Sequence, residues 1–399
     1  MKSRIAKGKR PSGLLVVVGL IFAALAIAGC GGGGSSTGST GGSGAETTAG
    51  SGAETVSSGG GAAAAGLEAA ETEVTQLLKP PPQDLGITKL PSLPPDLKMV
   101  FIKCGVPACT GYVQGAEVAA KAAGVSLKVI DAGNASASQT QAWDQAVSEK
   151  PDAVIEEGFQ LSLFGKQLAA FKAAGIPVVT AGDTAGATEP DVTVDVDPPS
   201  TIEYSGKREA NWIIAKSGGK GNALYVETPE IPLITVVAHG FESEMAKNCP
   251  ECKVSKLKVQ IEDIGKSIPG QIVSYLQQNP ETEWISFGFG DLVAGVPEAL
   301  QGAGINGVHI ISGGGSKLNW GYIESGGQEA EIAADFPLYG WWMVDRAMRA
   351  AGGEVITKPP APLQQFLTQG NLNFDFSKGW VAVPDYEKQF VEGWEGKGE

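Results

Sequence analysis

From Leu97 onward, short apolar segments alternate with longer amphipathic ones, and this alternation constrains the fold more than any other feature of the chain. The short segments have the length and the β-branched content of strands. The longer segments repeat apolar residues with a helical period, as Val113, Ala116 and Ala120 do. Strands that are joined through helices run parallel and carry helices on both faces of their sheet. The predicted fold class is therefore α/β.

The alternation runs through one set of elements up to Thr180 and restarts at Thr201. Two sets of similar size, in roughly 300 residues, predict two doubly wound parallel-sheet lobes. In such lobes ligands bind at the carboxyl ends of the strands. The predicted strands are 99–102, 126–130, 153–155, 177–180, 223–226, 253–259, 284–287, 307–312 and 329–333. The predicted helices are 111–123, 139–150, 164–174, 201–216, 235–248, 268–279, 292–303, 319–325 and 339–351.

The first thirty residues indicate export. Five basic residues and no acidic one precede an apolar stretch at 14–27, which is shorter than a typical membrane span. The stretch ends in Ile27-Ala28-Gly29-Cys30, which resembles the lipobox of bacterial lipoproteins. The resemblance implies a cleaved lipoprotein signal peptide at 1–30, acylation of Cys30 and a chain that is lipid-anchored to the membrane. An uncleaved anchor helix is the alternative.

Residues 31–66 are almost wholly Gly, Ser, Thr and Ala and contain no aromatic side chain. Such a segment buries too little apolar area to offset the entropy of ordering, so we predict a disordered tether of roughly 30–36 Å. A short helical pattern follows at 67–79, and a proline-rich lead-in occupies 80–95. We assign 31–96 to the tether and lead-in.

The charge of the chain argues against two classes of partner. Without its first 29 residues the chain has 25 basic and 44 acidic residues, a net charge of −19. An acidic surface of this kind disfavours nucleic acid and anionic lipid headgroups. We therefore expect no nucleic-acid partner, and solubility outside the cytoplasm explains the charge.

Four cysteines remain besides Cys30. An even number in an oxidising compartment predicts two disulfides, and proximity along the chain favours Cys104–Cys109 and Cys249–Cys252 among the three possible pairings. The Cys249-Pro-Glu-Cys252 motif could also be a redox or zinc pair. Zinc normally takes four ligands, and the chain has no second CxxC and no paired histidines, so we expect no metal.

Signatures of catalysis are scarce. His239 and His309 are the two histidines, and His309 lies in an apolar strand, where a structural role is expected. The G-x-G-x-x-G pattern at 302–307 separates a helix from the next strand, the reverse of a dinucleotide site, so no cofactor is expected. The glycines at 313–315 follow a strand and precede a helix, and they either approach a ligand or make a tight turn.

Several segments carry a family resemblance. They are 115–124, 129–131, Gln139, 150–153, 173–180, 240–241, 290–295 and 326–333. In order and spacing they resemble the type I periplasmic binding proteins, in particular the ribose and sugar-binding group of ABC transporter substrate-binding lipoproteins, over about 97–370. The resemblance implies three crossovers, near 197–201, 335–338 and 360–368. The N-terminal lobe is then 97–199 with 336–362, and the C-terminal lobe is 200–335 with 363–399.

The resemblance also implies a ligand held by loops at the strand ends. The implied residues are Cys104, Thr110, Glu156, Phe159 and Asp183 in the first lobe, Glu227, Thr235, Phe289, Asp291 and Gly314 in the second, and Asp335 at a crossover. Carboxylates would accept hydrogen bonds from hydroxyls, and Phe159, Phe289 or Trp320 would offer a stacking face. Most charged clamps of ribose binders are missing, which predicts a bulkier or less polar solute than a pentose.

Two pairs of residues keep an alternative interpretation. Glu156 and Glu157 could be solvated loop charges rather than ligand contacts. Trp341 and Trp342, at the start of a predicted helix, are expected to serve packing.

These features predict a monomeric, non-enzymatic solute-binding lipoprotein of an ABC importer on the outer face of the cytoplasmic membrane. It would capture a sugar or sugar-like molecule by hinge closure between its lobes and deliver it to an ABC permease with a separate ATPase. A ligand-sensing co-receptor for a membrane signalling protein is the first alternative, since the fold serves both. An extracytoplasmic enzyme is disfavoured because no histidine lies in a predicted cleft loop.

Overall fold

The computed structural model describes residues 58–106, 109–182 and 192–396. The predicted signal peptide, Cys30, the tether up to residue 57 and Asp183 lie outside the described residues. No helix in the described part of the chain is long and apolar enough to cross a membrane.

The first sheet has five parallel strands in the order β2-β1-β3-β4-β5. The strands are β1 (Lys98–Lys103), β2 (Ser126–Asp131), β3 (Ala153–Glu157), β4 (Val178–Ala181) and β5 (Val194–Asp195). The helices between them are α2 (Cys109–Ala123), α3 (Ser136–Glu149) and α4 (Gly165–Ala173). Strand β1 lies between β2 and β3 and is buried along 99–102, as expected for a strand that helices cover on both faces.

The second sheet has six strands in the order β11-β10-β9-β8-β6-β7, and only the β10–β11 pair is antiparallel. The strands are β6 (Asn222–Glu227), β7 (Lys253–Lys258), β8 (Trp284–Phe287), β9 (His309–Gly313), β10 (Ala330–Ala333) and β11 (Gln365–Thr368). The helices are α5 (Pro199–Lys216), α6 (Pro232–Asn248), α7 (Ile268–Gln278), α8 (Val296–Gly302) and α9 (Lys317–Ser325). The prediction of two parallel α/β lobes is confirmed.

Three further helices complete the described fold: α1 (Ser58–Leu77), α10 (Phe336–Ala351) and α11 (Tyr386–Trp394). Helix α10 packs on α2 and on the first sheet, whereas α1 packs on α5 and α6 of the second lobe. The three predicted crossovers are present, since the chain changes lobe between β5 and α5, between β10 and α10, and between α10 and β11.

Two pairs of helices pack unusually closely through glycines. A Cβ atom at Gly206 of α5 would overlap the backbone of Val237 in α6, and one at Gly240 of α6 would overlap the backbone of Glu203 in α5. Gly340 of α10 packs in the same way against the backbone of α2. These glycines are required because a side chain would force the helices apart.

The N-terminal boundary differs from the prediction. Helix α1 begins at Ser58, within the expected tether, and the lead-in packs against the first lobe through partly buried apolar side chains such as Ile87 and Leu90. The helix is stable in this place because Ala70 and Val74 are buried in the core of the second lobe. The sequence did not indicate the start of α1 because its first residues are mostly glycine and alanine, which carry no periodic apolar pattern.

The C-terminal segment differs as well. The sequence places 363–399 in the second lobe, but residues from Ala382 to Trp394 pack in the core of the first lobe. Trp341 of α10 stacks on Trp394 with ring centroids 5.5 Å apart and contacts Phe390 at 5.4 Å. The chain therefore passes between the lobes twice more, in addition to the three predicted crossovers. One additional passage precedes β1, and the other lies between β11 and α11.

Candidate ligand-binding cleft

The strand-end loops of the two lobes meet at two places. Gly182, after β4, adopts a φ of +84°, and a Cβ there would lie 3.0 Å from Leu233 Cδ1 at the start of α6. Phe336, at the second crossover, packs against Gly111 of the first lobe. It also lies beside Gly314 of the second lobe, where a Cβ atom on Gly314 would be 3.7 Å from Phe336 Cζ. The carboxyl ends of both sheets thus face one another across a cleft, as ligand sites in this architecture do.

A disulfide forms part of the first-lobe wall. Cys104 and Cys109 are bonded, with Cα atoms 5.9 Å apart, and the Cys104 backbone N–H donates to Glu157 Oε1 at 3.2 Å. The second predicted pair, Cys249 and Cys252, is also bonded. Both pairs join residues that are neighbours along the chain, which is why spacing was sufficient to predict them.

Glu156 and Glu157 are the last residues of β3 and are almost completely buried. Burial raises the pKa of Glu157 well above its usual value, and the neighbouring charge of Glu156 raises it further. The alternative interpretation of these residues as solvated loop charges is therefore wrong.

The sulfur atoms of Cys104 and Cys109 and a carboxylate oxygen of Glu157 lie within 4.8 Å of one another. A metal ion prefers thiolate ligands, and sulfurs that are joined in a disulfide are not thiolates. In its oxidised form this cluster is therefore a brace for the loop after β1 rather than a metal centre.

Three aromatic side chains, which no sequence motif marks, lie together where α2 and α10 begin, and we call this place the cleft base. The Tyr112 ring is 5.1 Å from that of Phe336 and 5.9 Å from that of Tyr339, and both pairs are tilted. They come from the first turns of α2 and α10, two helices that pack together closely. Tyr339 is buried in the core of the first lobe, whereas Tyr112 and Phe336 are half-buried. The exposed parts of the Tyr112 and Phe336 rings are the apolar surface that this group can offer to a ligand.

Asp197, on the first crossover, is an acidic residue close to the hydroxyl groups of Tyr112 and Tyr339. It is half-buried, burial raises its pKa to about 7, and its Oδ1 atom has no hydrogen-bond partner among the described residues. Burial and then the Asp197 charge raise the pKa of the Tyr112 and Tyr339 hydroxyls. An unpaired carboxylate oxygen beside aromatic faces suits a solute that carries both hydroxyl groups and apolar C–H surface.

In the second-lobe wall, the glycine loop at 313–315 is supported from beneath by two buried carboxyl groups. Glu209 accepts a hydrogen bond from Ser286 Oγ at 2.5 Å, and Glu331 accepts one from Trp320 Nε1 at 2.9 Å. Burial raises the pKa of each carboxyl to about 8. A Cβ at Gly313 would lie 2.8 Å from Glu209 Oε1, and one at Gly315 would overlap the Glu331 carboxylate. Close packing therefore requires both glycines, which favours the tight-turn interpretation for them.

Five predicted site residues do lie on strand-end loops or on the helix turns that follow them. Thr110 and Thr235 are exposed in the first turns of α2 and α6, and Phe289 and Asp291 are half-buried after β8. Burial raises the pKa of Asp291. Gly314 lies beside Phe336, as described above. Their contact with a ligand stays a prediction.

Two predicted stacking residues serve the core instead. Phe159 is buried on the helix side of the first sheet, with its ring edge-on to Trp143 at 5.9 Å and to Phe164 at 5.7 Å. Trp320 is buried against Phe374 at 5.1 Å. The expectation that Phe159 or Trp320 offers a face to the ligand is wrong, because side chains on the same lobe already cover these rings.

Two predicted acidic residues are engaged elsewhere. Glu227 lies near Lys256 and Lys258 of β7, with N–O distances of 3.5 and 3.8 Å. Asp335 caps α10 by accepting from Leu338 N at 3.1 Å, and its other oxygen accepts from Ala382 N at 2.9 Å. Their carboxylates are structural acceptors in this arrangement rather than free ligand contacts.

Other sequence interpretations are supported. The His309 ring stacks on Trp284 with centroids 4.5 Å apart and its Nδ1 contacts Glu329, consistent with the expected structural role. Trp341 and Trp342 are buried packing residues of α10. The glycines at 302–307 separate α8 from β9, so they present no helix start to a pyrophosphate.

Comparison with known proteins agrees with this geometry. A family model described as a periplasmic binding protein domain matches residues 106–354. The xylitol-binding protein of Mycolicibacterium smegmatis is 26% identical over 232 residues, which are 53% of this chain and 60% of that protein. The chain thus spans less than two thirds of the length of this curated relative.

Solved structures share the fold at low sequence identity. An ABC sugar transporter subunit from Rhodobacter sphaeroides has a TM-score of 0.61 at 20% identity, covering 69% of this chain and 99% of that one. A solute-binding protein from Agrobacterium vitis with bound allitol has a TM-score of 0.62 at 17% identity, with 71% and 98% covered. A 5-methylthioribose-binding protein from Thermotoga lettingae has a TM-score of 0.63 at 17% identity, with 76% and 99% covered. With two α/β lobes and a family match over more than half its length, this chain belongs to the periplasmic binding protein family.

Proposed function

We propose that this protein is an extracytoplasmic solute-binding protein of an ABC importer, which holds a sugar or polyol between its lobes and delivers it to a permease. The observation that carries the proposal is the unpaired Asp197 carboxylate oxygen beside Tyr112, Phe336 and Tyr339, where the two lobes meet. Membership of a binding-protein family supports binding rather than catalysis. A co-receptor role stays the alternative prediction.

The class of solute follows from the chemistry of the cleft together with its relatives. Arg208 is a basic side chain whose charge reaches the Tyr339 hydroxyl, and it is already engaged, since its Nε lies 3.5 Å from Glu73 Oε1 and its Nη1 donates to Gln364 Oε1. The acidic and aromatic groups at the cleft base therefore favour an uncharged polyhydroxylated solute over a carboxylate or phosphate. The names of the relatives, which include xylitol and allitol, point to the same class.

We further propose that acylation of Cys30 anchors the monomeric protein to the outer face of the cytoplasmic membrane. The basic start, the apolar stretch and the small residues before Cys30 support this proposal. Metabolic labelling with a fatty acid should modify the wild-type protein, whereas Cys30→Ser should release an unlabelled protein. Labelling of the serine variant would contradict the proposal.

A thermal-shift screen against pentitols, hexitols, aldopentoses and 5-methylthioribose tests the binding function. A ligand at about 100 times its Kd adds roughly 2.7 kcal/mol of stability, so the melting temperature should rise with concentration. At pH 8, where the Asp197 carboxyl with its pKa of about 7 is mostly ionised, Asp197→Asn should weaken the binding of any hit at least tenfold, because a charged acceptor is replaced by a weaker one. Glu117→Gln, on the exposed side of α2, is the matched control. Equal affinities for the two variants would refute the assignment of the cleft base.

A further inference from the structure

The first of the two additional passages between the lobes is a short segment with strong attachments at both ends. We call residues 78–96, which join α1 to β1, the strap. On the second-lobe side, helix α1 buries Ala70 and Val74 in the core. Glu73 Oε2 accepts from Asn211 Nδ2 at 2.5 Å, and its Oε1 lies 3.5 Å from Arg208 Nε.

The strap itself begins with a second-lobe contact. The carbonyl oxygen of Leu78 accepts hydrogen bonds from Gln365 Nε2 at 3.2 Å and from Asn371 Nδ2 at 3.4 Å. Both donors belong to β11 and the turn that follows it. Residue 78 is therefore fixed to the second sheet.

Five residues later the strap is attached to the first lobe. Gln83 Nε2 donates to Ala382 O at 3.2 Å, and the Gln83 carbonyl accepts from Gln389 Nε2 at 2.7 Å. The backbone N–H of Leu85 donates to Gln389 Oε1 at 2.9 Å. Ala382 and Gln389 lie in the C-terminal segment that packs on the first lobe.

A buried arginine strengthens this first-lobe attachment. Arg349 of α10 is 2% exposed, and its Nε donates to both Asp345 oxygens at 3.0 and 3.1 Å. Its Nη1 donates to Lys89 O at 3.1 Å and its Nη2 to Thr88 O at 2.5 Å. A guanidinium that is fixed by a carboxylate holds such carbonyl groups with charge-assisted hydrogen bonds.

The link between the two attachments is short and rich in proline. Residues 80–82 are three consecutive prolines, which favour a stiff, extended conformation of about 3.1 Å per residue. Five residue steps, from Leu78 to Gln83, reach at most about 18 Å. The two attachment points cannot separate beyond about 18 Å unless one attachment breaks.

We propose that the strap is a fixed-length strut between the lobes, which limits how far the cleft opens in the absence of ligand. Hinge opening in two-lobed proteins rotates the lobes about their crossovers. The strap adds a separate stiff connection beside the third crossover, since its second-lobe anchor Gln365 is the first residue of β11, and this added connection restricts the rotation. If the lobes are already held near the arrangement that they adopt around a ligand, the free-energy cost of closing them on the ligand is smaller. The effect of the strap on affinity rests on the proposed function, whereas its effect on opening does not.

The test measures the distance between the lobes directly. Spin labels are placed at Leu163→Cys and Leu318→Cys, two exposed positions on the cleft side of the two lobes, in the full chain with Cys30→Ser. A Gly-Ser-Gly-Ser insertion between Lys79 and Pro80 adds about 13 Å of slack. The same insertion after Gly304, in an exposed turn within the second lobe, is the matched control.

In the ligand-free protein the strap insertion should broaden the distance distribution and lengthen its mean by several ångströms, up to about 13 Å. The Gly304 insertion should leave the distribution unchanged. If circular dichroism shows that the strap insertion does not fold, Gln389→Ala, which removes two strap hydrogen bonds, takes its place and should also broaden the distribution. A distribution identical to that of the control would overturn the proposal.

Affinity supplies a separate readout. If slack leaves only one molecule in ten in the binding arrangement, the apparent Kd for a solute from the screen rises about tenfold. A lengthened distance in a protein that binds none of the screened solutes would support the strut and count against the proposed function. An unchanged distance in a protein that binds a screened solute normally would support the proposed function and contradict the strut.

Discussion

Replacing Glu209 by glutamine should change how the stability of this protein depends on pH. Glu209 is fully buried, and its pKa is raised from 4.5 to about 8 by burial, which outweighs the hydrogen bond from Ser286. The folded protein therefore holds this proton more tightly than the unfolded chain does. The stabilisation from the protonated carboxyl is complete below pH 4.5 and is lost as the pH rises toward 8.

The magnitude follows from the shift. Each pH unit between the two pKa values changes the free energy of unfolding by about 1.4 kcal/mol, so the whole interval corresponds to at most roughly 5 kcal/mol. The Glu209→Gln variant lacks the ionisable group, so the free energy of unfolding of the variant minus that of the wild type should increase from pH 5 to pH 8. Glu331, whose pKa is also about 8, keeps part of the slope in the variant.

Urea unfolding followed by tryptophan fluorescence, at one-unit steps from pH 5 to pH 9, measures this difference. The quantity to compare is the free energy of unfolding of the variant minus that of the wild type at each pH. The exposed Glu117→Gln variant is the control and should show no trend. If the difference for Glu209→Gln is constant with pH, Glu209 does not bind its proton as its burial implies.

Three further changes test the packing and the braces around the cleft. Gly206→Ala should destabilise the protein by about 1–3 kcal/mol in urea unfolding because its Cβ overlaps α6, whereas Gly321→Ala, with open space around it, should be neutral or stabilising. Asp335→Ala should lower the free energy of unfolding by about 2–4 kcal/mol, since two buried backbone N–H groups lose their acceptor. Removing the first disulfide with Cys104→Ala and Cys109→Ala should lower it by about 2 kcal/mol, and a larger loss of ligand affinity than of stability would show that the loop is a binding element.

Local patterns were sufficient for most of the secondary structure. Residues 99–102 are buried in β1, and the apolar residues of α2 are buried along one side of the helix, as their spacing in the sequence predicts. The spacing is informative because a central strand is covered on both faces and a surface helix on one. Strand β5 has two residues, too few for a periodic signal, and β11 comes after α10 as an antiparallel strand, outside the run of alternating parallel strands and helices. Their positions depend on pairing with β4 and β10, which are distant or separated by loops in sequence.

Sequence alone predicted that this chain forms two α/β lobes and favoured local pairing of its cysteines, since both follow from short-range spacing, and the structure has both. A ligand site at the strand ends stays a prediction. Only the tertiary structure decided which side chains lie together between the lobes. Tyr112, Asp197 and Phe336 are far apart in the chain, and they meet because the crossovers bring α2, β5 and α10 to one place. Whether a side chain faces ligand or core, as for Phe159, depends on what packs over it, and no local pattern carries that information.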